Sequence, residues 1–123
     1  MNIHKSAEDY LETIYMESLK TGGAVRSIDI ATALGYSKPS VSVAMKSLEE
    51  AGYICRDSAR LITLTEKGLA IAKNMYDRHE TIAKYLMAIG VSEETAYEDA
   101  CKMEHVLSEE SFRCLRRAAE SLG

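Results

Sequence analysis

Apolar residues recur at helical spacing along most of the chain, which predicts a mainly α-helical protein. The first helix is expected over about residues 7–20, where Leu11, Ile14 and Tyr15 form one face and Gly22-Gly23 follow. Five further helices are expected, over about residues 28–34, 38–51, 65–90, 93–105 and 109–121.

Residues that begin and end helices mark two short helices near the middle of the chain. Ser27 is a candidate N-cap for the helix that ends before Gly35, and Ser37 with Pro39 in the first turn opens the next helix. That helix stops at about Gly52. Two short helices joined by a tight turn that contains glycine are typical of a helix-turn-helix.

A hairpin is predicted directly after the third helix. Residues 53–56 and 60–64 are rich in β-formers, and the polar run 57–59 separates them. Helix, helix, recognition helix and hairpin in this order describe a winged helix-turn-helix. We therefore expect a DNA-binding domain over residues 1–72 and an all-helical region over 73–123. The surplus of apolar helix in this second region favours dimerisation with a second copy.

The outer face of the third helix suits the major groove, because it mixes small polar side chains, apolar groups that can meet a thymine methyl, and lysines. Arginines before that helix and on each side of the hairpin turn are placed to contact phosphates. The candidates for DNA contact are Arg26, Ser37, Lys38, Pro39, Ser40, Ser42, Val43, Lys46, Arg56 and Arg60. An ordinary solvated helix face is the alternative for this composition.

Three metal-binding side chains lie within five residues near the end of the fifth predicted helix. Cys101, Glu104 and His105 are spaced i, i+3 and i+4, so a thiolate, a carboxylate and an imidazole can share one helical face. A divalent ion there needs more donors, and Asp9, Glu12 and His79 are the candidates. Acids in a first helical turn also complement the helix dipole, and a lone histidine on an apolar face is commonly an interior residue.

Composition and charge restrict the location and the partners of the protein. The chain of 123 residues has a formal charge of −4, no CxxC pair and only three cysteines, which fits a reducing compartment. Its N-terminus lacks the apolar core of a signal peptide, and no apolar run reaches the roughly 18 residues of a membrane span. We expect a cytoplasmic protein without a membrane partner.

Several motifs together resemble one family, the diphtheria toxin repressor and manganese transport regulator family, in register over nearly the whole chain. The motifs are the runs at residues 8–15, 37–42, 64–68, 78–79 and 101–108. The resemblance implies a homodimeric winged-helix repressor whose affinity for operator DNA depends on Fe²⁺ or Mn²⁺ and which restrains metal-uptake genes. The chain resembles the short members, which lack an SH3-like domain.

The resemblance carries over to individual ligands with one exception. The manganese-type ligand pattern, in which two adjacent ions are held, is matched by Asp9, Glu12, His79, Glu104 and His105. Cys101 instead matches the iron-type branch, which has methionine at the position of Asp9. The iron-type ancillary site needs a carboxylate and a histidine where this chain has Ala83 and Tyr97, so it is not expected in the same form.

These observations predict a non-enzymatic, metal-dependent transcriptional regulator that uses Mn²⁺ or Fe²⁺, with Zn²⁺ or Co²⁺ binding in vitro. The partners would be double-stranded operator DNA and a second copy of the chain, with no small-molecule substrate. One alternative is a winged-helix regulator that senses redox state at Cys101 or binds a small ligand or a protein. Another is a metal-dependent hydrolase, against which stand the absence of an HExxH motif and of a glycine-rich phosphate loop.

Overall fold

The structure, a computed structural model, describes residues 5–122, with side chains from Ser6 onward. It confirms the mainly α fold with a small hairpin. The elements in chain order are α1 (Lys5–Thr21), α2 (Ser27–Leu34), α3 (Lys38–Glu50), β1 (Ile54–Arg56), β2 (Ile62–Leu64), α4 (Glu66–Ala88), α5 (Glu93–Met103) and α6 (Glu109–Leu122). Two compact units, residues 1–73 and 74–123, divide within α4. Among the described residues, no helix has the length and apolar character that crossing a bilayer requires.

The first unit is a winged helix-turn-helix, as predicted. Helix α1 packs on α2 and β2, α2 packs on α3, and α3 packs on β1. Its core is formed by side chains that are almost completely buried, among them Leu11, Ile14, Val25, Ile30, Val41, Met45, Ile54 and Ile62. The apolar stripe of each predicted helix therefore faces one common core, and the opposite faces are left to solvent.

The start of α3 follows the prediction, whereas that of α2 differs. The Ser37 hydroxyl accepts a hydrogen bond from the Ser40 backbone N–H (3.3 Å), and Pro39 lies in the first turn of α3. At α2 the N-cap is Arg26, whose backbone N–H donates to Asp29 Oδ2 (2.9 Å). The prediction that Ser27 caps this helix was wrong. The Asp29 carboxylate binds the backbone of Arg26, so the helix begins one residue earlier than predicted and Ser27 is its first residue.

The hairpin is held by strand pairing and by one aspartate in its turn. Strands β1 and β2 are antiparallel, with Ile54 opposite Leu64. The Asp57 carboxylate accepts hydrogen bonds from the backbone N–H groups of Ala59 and Leu61, both at 2.9 Å. Arg60 has a left-handed backbone conformation (φ 64°). The wing tip is thus ordered by its own short-range bonds.

Helix α4 begins in close contact with the start of the wing. The Thr65 backbone N–H donates to the Tyr53 carbonyl (3.1 Å), and its hydroxyl donates to the Gly52 carbonyl (2.7 Å). A side chain at Gly68 would overlap the Tyr53 carbonyl oxygen. Glycine is required at this position because backbone, not a movable side chain, occupies the space.

The second unit contains the rest of α4 together with α5 and α6. Its apolar core is small and centres on Ile82, Ala83, Ala96, Ala100 and Phe112. Alanines in this core permit close approach of the helices. The last residues of α5 and the turn that follows it are consequently held near the middle of α4.

Candidate metal centre and nucleic-acid interface

Three potential metal ligands meet in the second unit. His79 lies on α4, Cys101 in the last turn of α5, and Glu104 directly after α5. One ligand atom from each lies within 4.8 Å of the other two. Since Zn–N and Zn–O bonds are about 2.0–2.2 Å and Zn–S bonds about 2.3 Å, this spread suits three ligands around one divalent ion.

The Glu104 carboxylate is the centre of this cluster. Its side chain is 0 % exposed, with Oε2 at 3.2 Å from His79 Nδ1 and Oε1 at 3.3 Å from His105 Nε2. The side chains of His79 and His105 are 11 % and 2 % exposed. A carboxylate removed from water is costly unless cations or donors compensate it. Buried imidazole and carboxylate donors around one point, with a thiol nearby, fit a divalent transition metal.

The backbone around these ligands differs from the prediction that Cys101, Glu104 and His105 share one face of a continuous helix. The predicted helix is too long, because α5 ends at Met103; Glu104 is its C-cap in helical conformation (φ −59°, ψ −28°), and its N–H donates to the Ala100 carbonyl. Glu104 and His105 are presented by the turn after the helix. Cys101 is exposed and joins His79 and Glu104 in one donor group. Within residues 5–122, no donor group combines Cys101 with His105.

A buried arginine that the sequence did not single out as functional holds this turn. Arg78 Nη1 donates to the backbone carbonyls of Glu104 (2.6 Å) and Leu107 (3.0 Å). Nη2 lies 3.4 Å from Glu109 Oε1. The guanidinium also sits over the Phe112 ring, 5.0 Å from its centroid. Two signals in the sequence involve Arg78: it directly precedes His79, and the pair is one of the runs that carry the family resemblance. Neither signal separates it from a surface arginine.

Tyr97 stands at one of the two positions where the iron-type ancillary site would need a ligand, the reason for which that site was not expected here. Its ring is tilted against the His79 ring (centroids 5.3 Å apart), and its hydroxyl donates to Glu80 Oε2 (3.1 Å). Burial, followed by the hydrogen bond to the Glu80 carboxylate, raises the pKa of the Tyr97 hydroxyl. Tyr97 therefore remains a neutral donor that supports the His79 ring.

The other two predicted ligands belong to the first unit. Asp9 and Glu12 lie on α1, and their i, i+3 spacing places them on one face of that helix. Asp9 is half-buried, whereas Glu12 is only 5 % exposed. Burial of Glu12 argues against the purely solvated role that acids commonly have near a helix N-terminus.

The predicted DNA-binding face of α3 is accessible. Exposed side chains there are Ser37, Lys38, Pro39, Ser40, Ser42, Val43 and Lys46. Val43 is 71 % exposed, although it is apolar and lies amid polar neighbours. The Ser37 and Ser40 hydroxyls are hydrogen-bonded to each other (2.9 Å). The face thus offers hydroxyls, methyl groups and two ammonium groups to a partner.

The three arginines predicted to contact phosphates differ in their contacts within the first unit. Arg56 binds Glu49 Oε1 through both Nε (3.2 Å) and Nη2 (2.8 Å), and this hydrogen bond lowers the pKa of Glu49. Arg26 Nη1 donates to the Ala59 carbonyl at the wing tip (2.8 Å). Arg60 is exposed on the same tip. Arg26 and Arg56 therefore brace the wing, while Arg60 projects from it.

A winged helix-turn-helix followed by a helical unit with buried imidazole and carboxylate donors defines a class, the metal-responsive transcriptional regulators. Comparison with known families agrees. Residues 2–60 match the family model described as "Iron dependent repressor, N-terminal DNA binding domain", and residues 65–122 match "Iron dependent repressor, metal binding and dimerisation domain". The chain belongs to the iron dependent repressor family, whose members are DNA-binding regulators and not enzymes.

Individual relatives give the same result. The chain is 40% identical over 103 residues to the HTH-type transcriptional regulator MntR of Bacillus subtilis, which covers 84% of this chain and 72% of that protein. An uncharacterized HTH-type transcriptional regulator of Methanocaldococcus jannaschii is 38% identical over 113 residues, or 91% of this chain and 90% of that one. The solved structure of the manganese regulator SloR superposes with a TM-score of 0.80 at 28% identity. The match covers 98% of this chain but only 55% of SloR, so the chain spans about half the length of that structure.

Proposed function

We propose that this protein is a transcriptional repressor of metal-uptake genes whose affinity for operator DNA depends on Mn²⁺ or Fe²⁺. The observation that carries the proposal is the fully buried Glu104 carboxylate between two imidazoles, with the Cys101 thiol in the same donor group. The manganese regulators among its relatives support the choice of metal.

The ligands in this proposal come from two parts of the chain. His79, Cys101, Glu104 and His105 supply the donors of the helical unit. The carboxylates of Asp9 and Glu12 on α1 complete the coordination, as the sequence predicts. A bound cation supplies positive charge that compensates the buried carboxylates, and each ligand must be deprotonated to bind it.

The donor set accepts more than one metal. The thiolate favours Fe²⁺, Co²⁺ or Zn²⁺, while carboxylate oxygens suit Mn²⁺ and Fe²⁺. We infer that metal availability in the cell selects Mn²⁺ or Fe²⁺, and that Zn²⁺ and Co²⁺ bind in vitro.

The DNA in this proposal is contacted by α3 in the major groove and by the wing along the phosphates, with the protein acting as a homodimer in the cytoplasm. Two recognition helices must then match half-sites about one helical turn apart, roughly 34 Å. The exposed cations among the predicted DNA-contact residues are Arg26, Lys38, Lys46 and Arg60. Val43 and Pro39 offer apolar surface to thymine methyls.

The test is metal-dependent binding to DNA. Duplexes are first selected from a random library with the protein and Mn²⁺. Fluorescence anisotropy then measures affinity with Mn²⁺, with Fe²⁺ under anaerobic conditions, with Co²⁺, with Zn²⁺ and with a chelator, at constant ionic strength because phosphate contacts are salt-sensitive. We expect a metal to raise the affinity about 5- to 150-fold, the usual range for allosteric coupling.

Equal affinity for the selected DNA with Mn²⁺, with Fe²⁺ and with chelator would refute the proposal. The Glu104→Gln variant is the matched control, because it should keep the metal-independent affinity and lose the metal response. A response to peroxide that depends on Cys101 but not on Glu104 would favour the redox-sensing alternative instead.

A further inference from the structure

Arg78 is a buried cation whose shortest hydrogen bonds go to backbone and not to a carboxylate. Its side chain is 6 % exposed, and Nη1 binds the carbonyls of Glu104 at 2.6 Å and Leu107 at 3.0 Å. The contact of Nη2 with Glu109 is longer (3.4 Å), and that carboxylate is 70 % exposed. Burial of a guanidinium for so weak an ion pair is costly, so its function must lie with the two carbonyls.

Those two carbonyls bound the turn that presents two candidate ligands. Helix α5 ends at Met103, and carbonyls at a helix end have no intrahelical partner. One guanidinium nitrogen, Nη1, donates to the first and last carbonyls of residues 104–107 at once, and the rigid planar group fixes where that nitrogen lies. The next residue of α4, His79, contacts the Glu104 carboxylate. Consecutive α4 residues therefore hold both the backbone and the side chain of Glu104.

We propose that Arg78 is a positioning residue of the metal centre, which fixes the 104–107 turn so that Glu104 and His105 present their ligand atoms before the ion binds. This inference rests on the proposed function, since it assumes that both residues are ligands. The physical reason is preorganisation: a turn already held in the binding geometry loses less conformational entropy when the metal arrives.

Arg116 provides a matched control for the charge and the aromatic contact of Arg78. Its guanidinium lies over the same Phe112 ring, at 4.9 Å against 5.0 Å for Arg78. Arg116 is exposed, and in the part of the chain that the structure describes it makes no hydrogen bond to the 104–107 turn. Any effect found for Arg78 alone must therefore come from contacts that Arg116 lacks, which are the two carbonyls and the longer contact with Glu109.

The experiment compares the full-length wild-type chain with Arg78→Lys, Arg116→Lys and Glu104→Gln. Calorimetry measures Mn²⁺ and Co²⁺ affinity, and hydrogen exchange in the metal-free proteins measures protection of the Val106 and Leu107 amides, which donate to the Met103 carbonyl. We expect Arg78→Lys to weaken metal binding about 10- to 100-fold, as loss of a residue that orients ligands commonly does. Both amides should exchange faster in that variant, because lysine keeps the charge but lacks the rigid planar group that fixes the position of the donor nitrogen. Arg116→Lys should match the wild type in both measurements.

The outcomes separate the inference from the proposed function. Wild-type affinity in Arg78→Lys, together with lost binding in Glu104→Gln, would overturn the positioning role and leave the metal centre standing. Equal losses in Arg78→Lys and Arg116→Lys would also overturn it, since the contact of each guanidinium with the Phe112 ring would then explain both. A wild-type chain that binds neither metal would overturn the metal centre and the inference together.

The metal-free wild type serves if Arg78→Lys does not fold. A turn that is held before the ion binds should protect the Val106 and Leu107 amides from exchange without metal, and Mn²⁺ should add little to that protection. Amides that exchange freely without metal and become protected only when Mn²⁺ is added would overturn the positioning role of Arg78.

Discussion

Replacing Glu104 with glutamine should reduce the metal-dependent stabilisation by half or more without destabilising the metal-free protein. The substitution keeps the shape of the side chain and removes one charge from a position that is 0 % exposed. It therefore separates the electrostatic role of the carboxylate from its packing role. A metal ligand is indicated if the substitution lowers stability with metal but not without it. Loss of a purely structural carboxylate would lower stability in both conditions.

The expected magnitudes follow from the surroundings of Glu104. Glutamine keeps the volume of the side chain and removes a charge whose burial is costly, so the metal-free variant should be as stable as the wild type or more so. With Mn²⁺ at 100 times its dissociation constant, the wild type gains about 2.7 kcal/mol. A 10- to 100-fold weaker site reduces that gain to about 1.4 or 0.4 kcal/mol at the same metal concentration.

Urea unfolding of the full-length chain, with Mn²⁺ or with chelator, measures both quantities. Glu110→Gln is the control, since it removes the same charge from an exposed position in the first turn of α6. That control should retain the full metal-dependent gain. The reasoning is refuted if Glu104→Gln keeps the wild-type gain, or if it lowers the metal-free stability by more than about 2 kcal/mol while Glu110→Gln does not.

Three further predictions concern the winged-helix unit. Gly68→Ala should lower the free energy of unfolding by about 1–3 kcal/mol, because the new Cβ meets a backbone carbonyl and this outweighs the gain of roughly 1 kcal/mol in helix propensity; a higher urea midpoint would contradict it. Lys46→Ala should weaken binding to selected and unrelated duplexes alike and reduce the salt slope by about one, whereas a loss confined to the selected duplex would mean that Lys46 reads bases. Arg56 lowers the pKa of Glu49 from its ordinary value of 4.5, so the pair stabilises the fold above that pH and stops doing so as the pH falls through the lowered pKa. The stability difference between wild type and Arg56→Ala should therefore shrink on acidification, and a difference that persists in acid would exclude this account.

The start of α3 shows what local sequence can determine. Ser37 can cap a helix and Pro39 fits a first turn, whatever surrounds them, so both signals were sufficient to place this helix. The hairpin was equally predictable because its β-rich runs flank a polar turn. Asp57 then stabilises that turn through bonds to residues two and four positions away. Each of these contacts is short in sequence, which is why the winged-helix fold could be derived.

The end of α5 shows where local sequence fails. No glycine follows Met103, and the residues after it are compatible with a helix, so the spacing of Cys101, Glu104 and His105 predicted one continuous face. The actual termination coincides with the bonds from Arg78, which lies 26 residues before Glu104. A side chain from another helix supplied partners to carbonyls of the turn, and no periodicity in the local sequence carries that information.

The partner of Arg56 is a second contact that the sequence did not indicate. Arg56 was predicted to contact phosphates, and its Nη2 lies 2.8 Å from Glu49 Oε1. That pair lies between α3 and β1, so the residues are only seven apart but belong to different elements. An arginine and the carboxylate that binds it form a pair without net charge, so the pair attracts phosphates only at short range. Arg26 binds a neutral carbonyl and keeps its charge, so it attracts DNA together with Lys38, Lys46 and Arg60.

The division of the candidate ligands between the two units bears on how a signal could arise. His79, Cys101 and Glu104 lie together within one unit. The conformational entropy lost in bringing them together is therefore lost when that unit folds, not when the ion binds. Binding to these three donors alone would be insensitive to the state of the DNA-binding unit and would transmit nothing. Among the candidate ligands, only Asp9 and Glu12 belong to the unit that carries α3. Under the proposed function, the free energy of binding that these two carboxylates contribute is therefore the part that can change DNA affinity. By linkage, operator DNA must then tighten metal binding by the same factor by which metal tightens DNA binding.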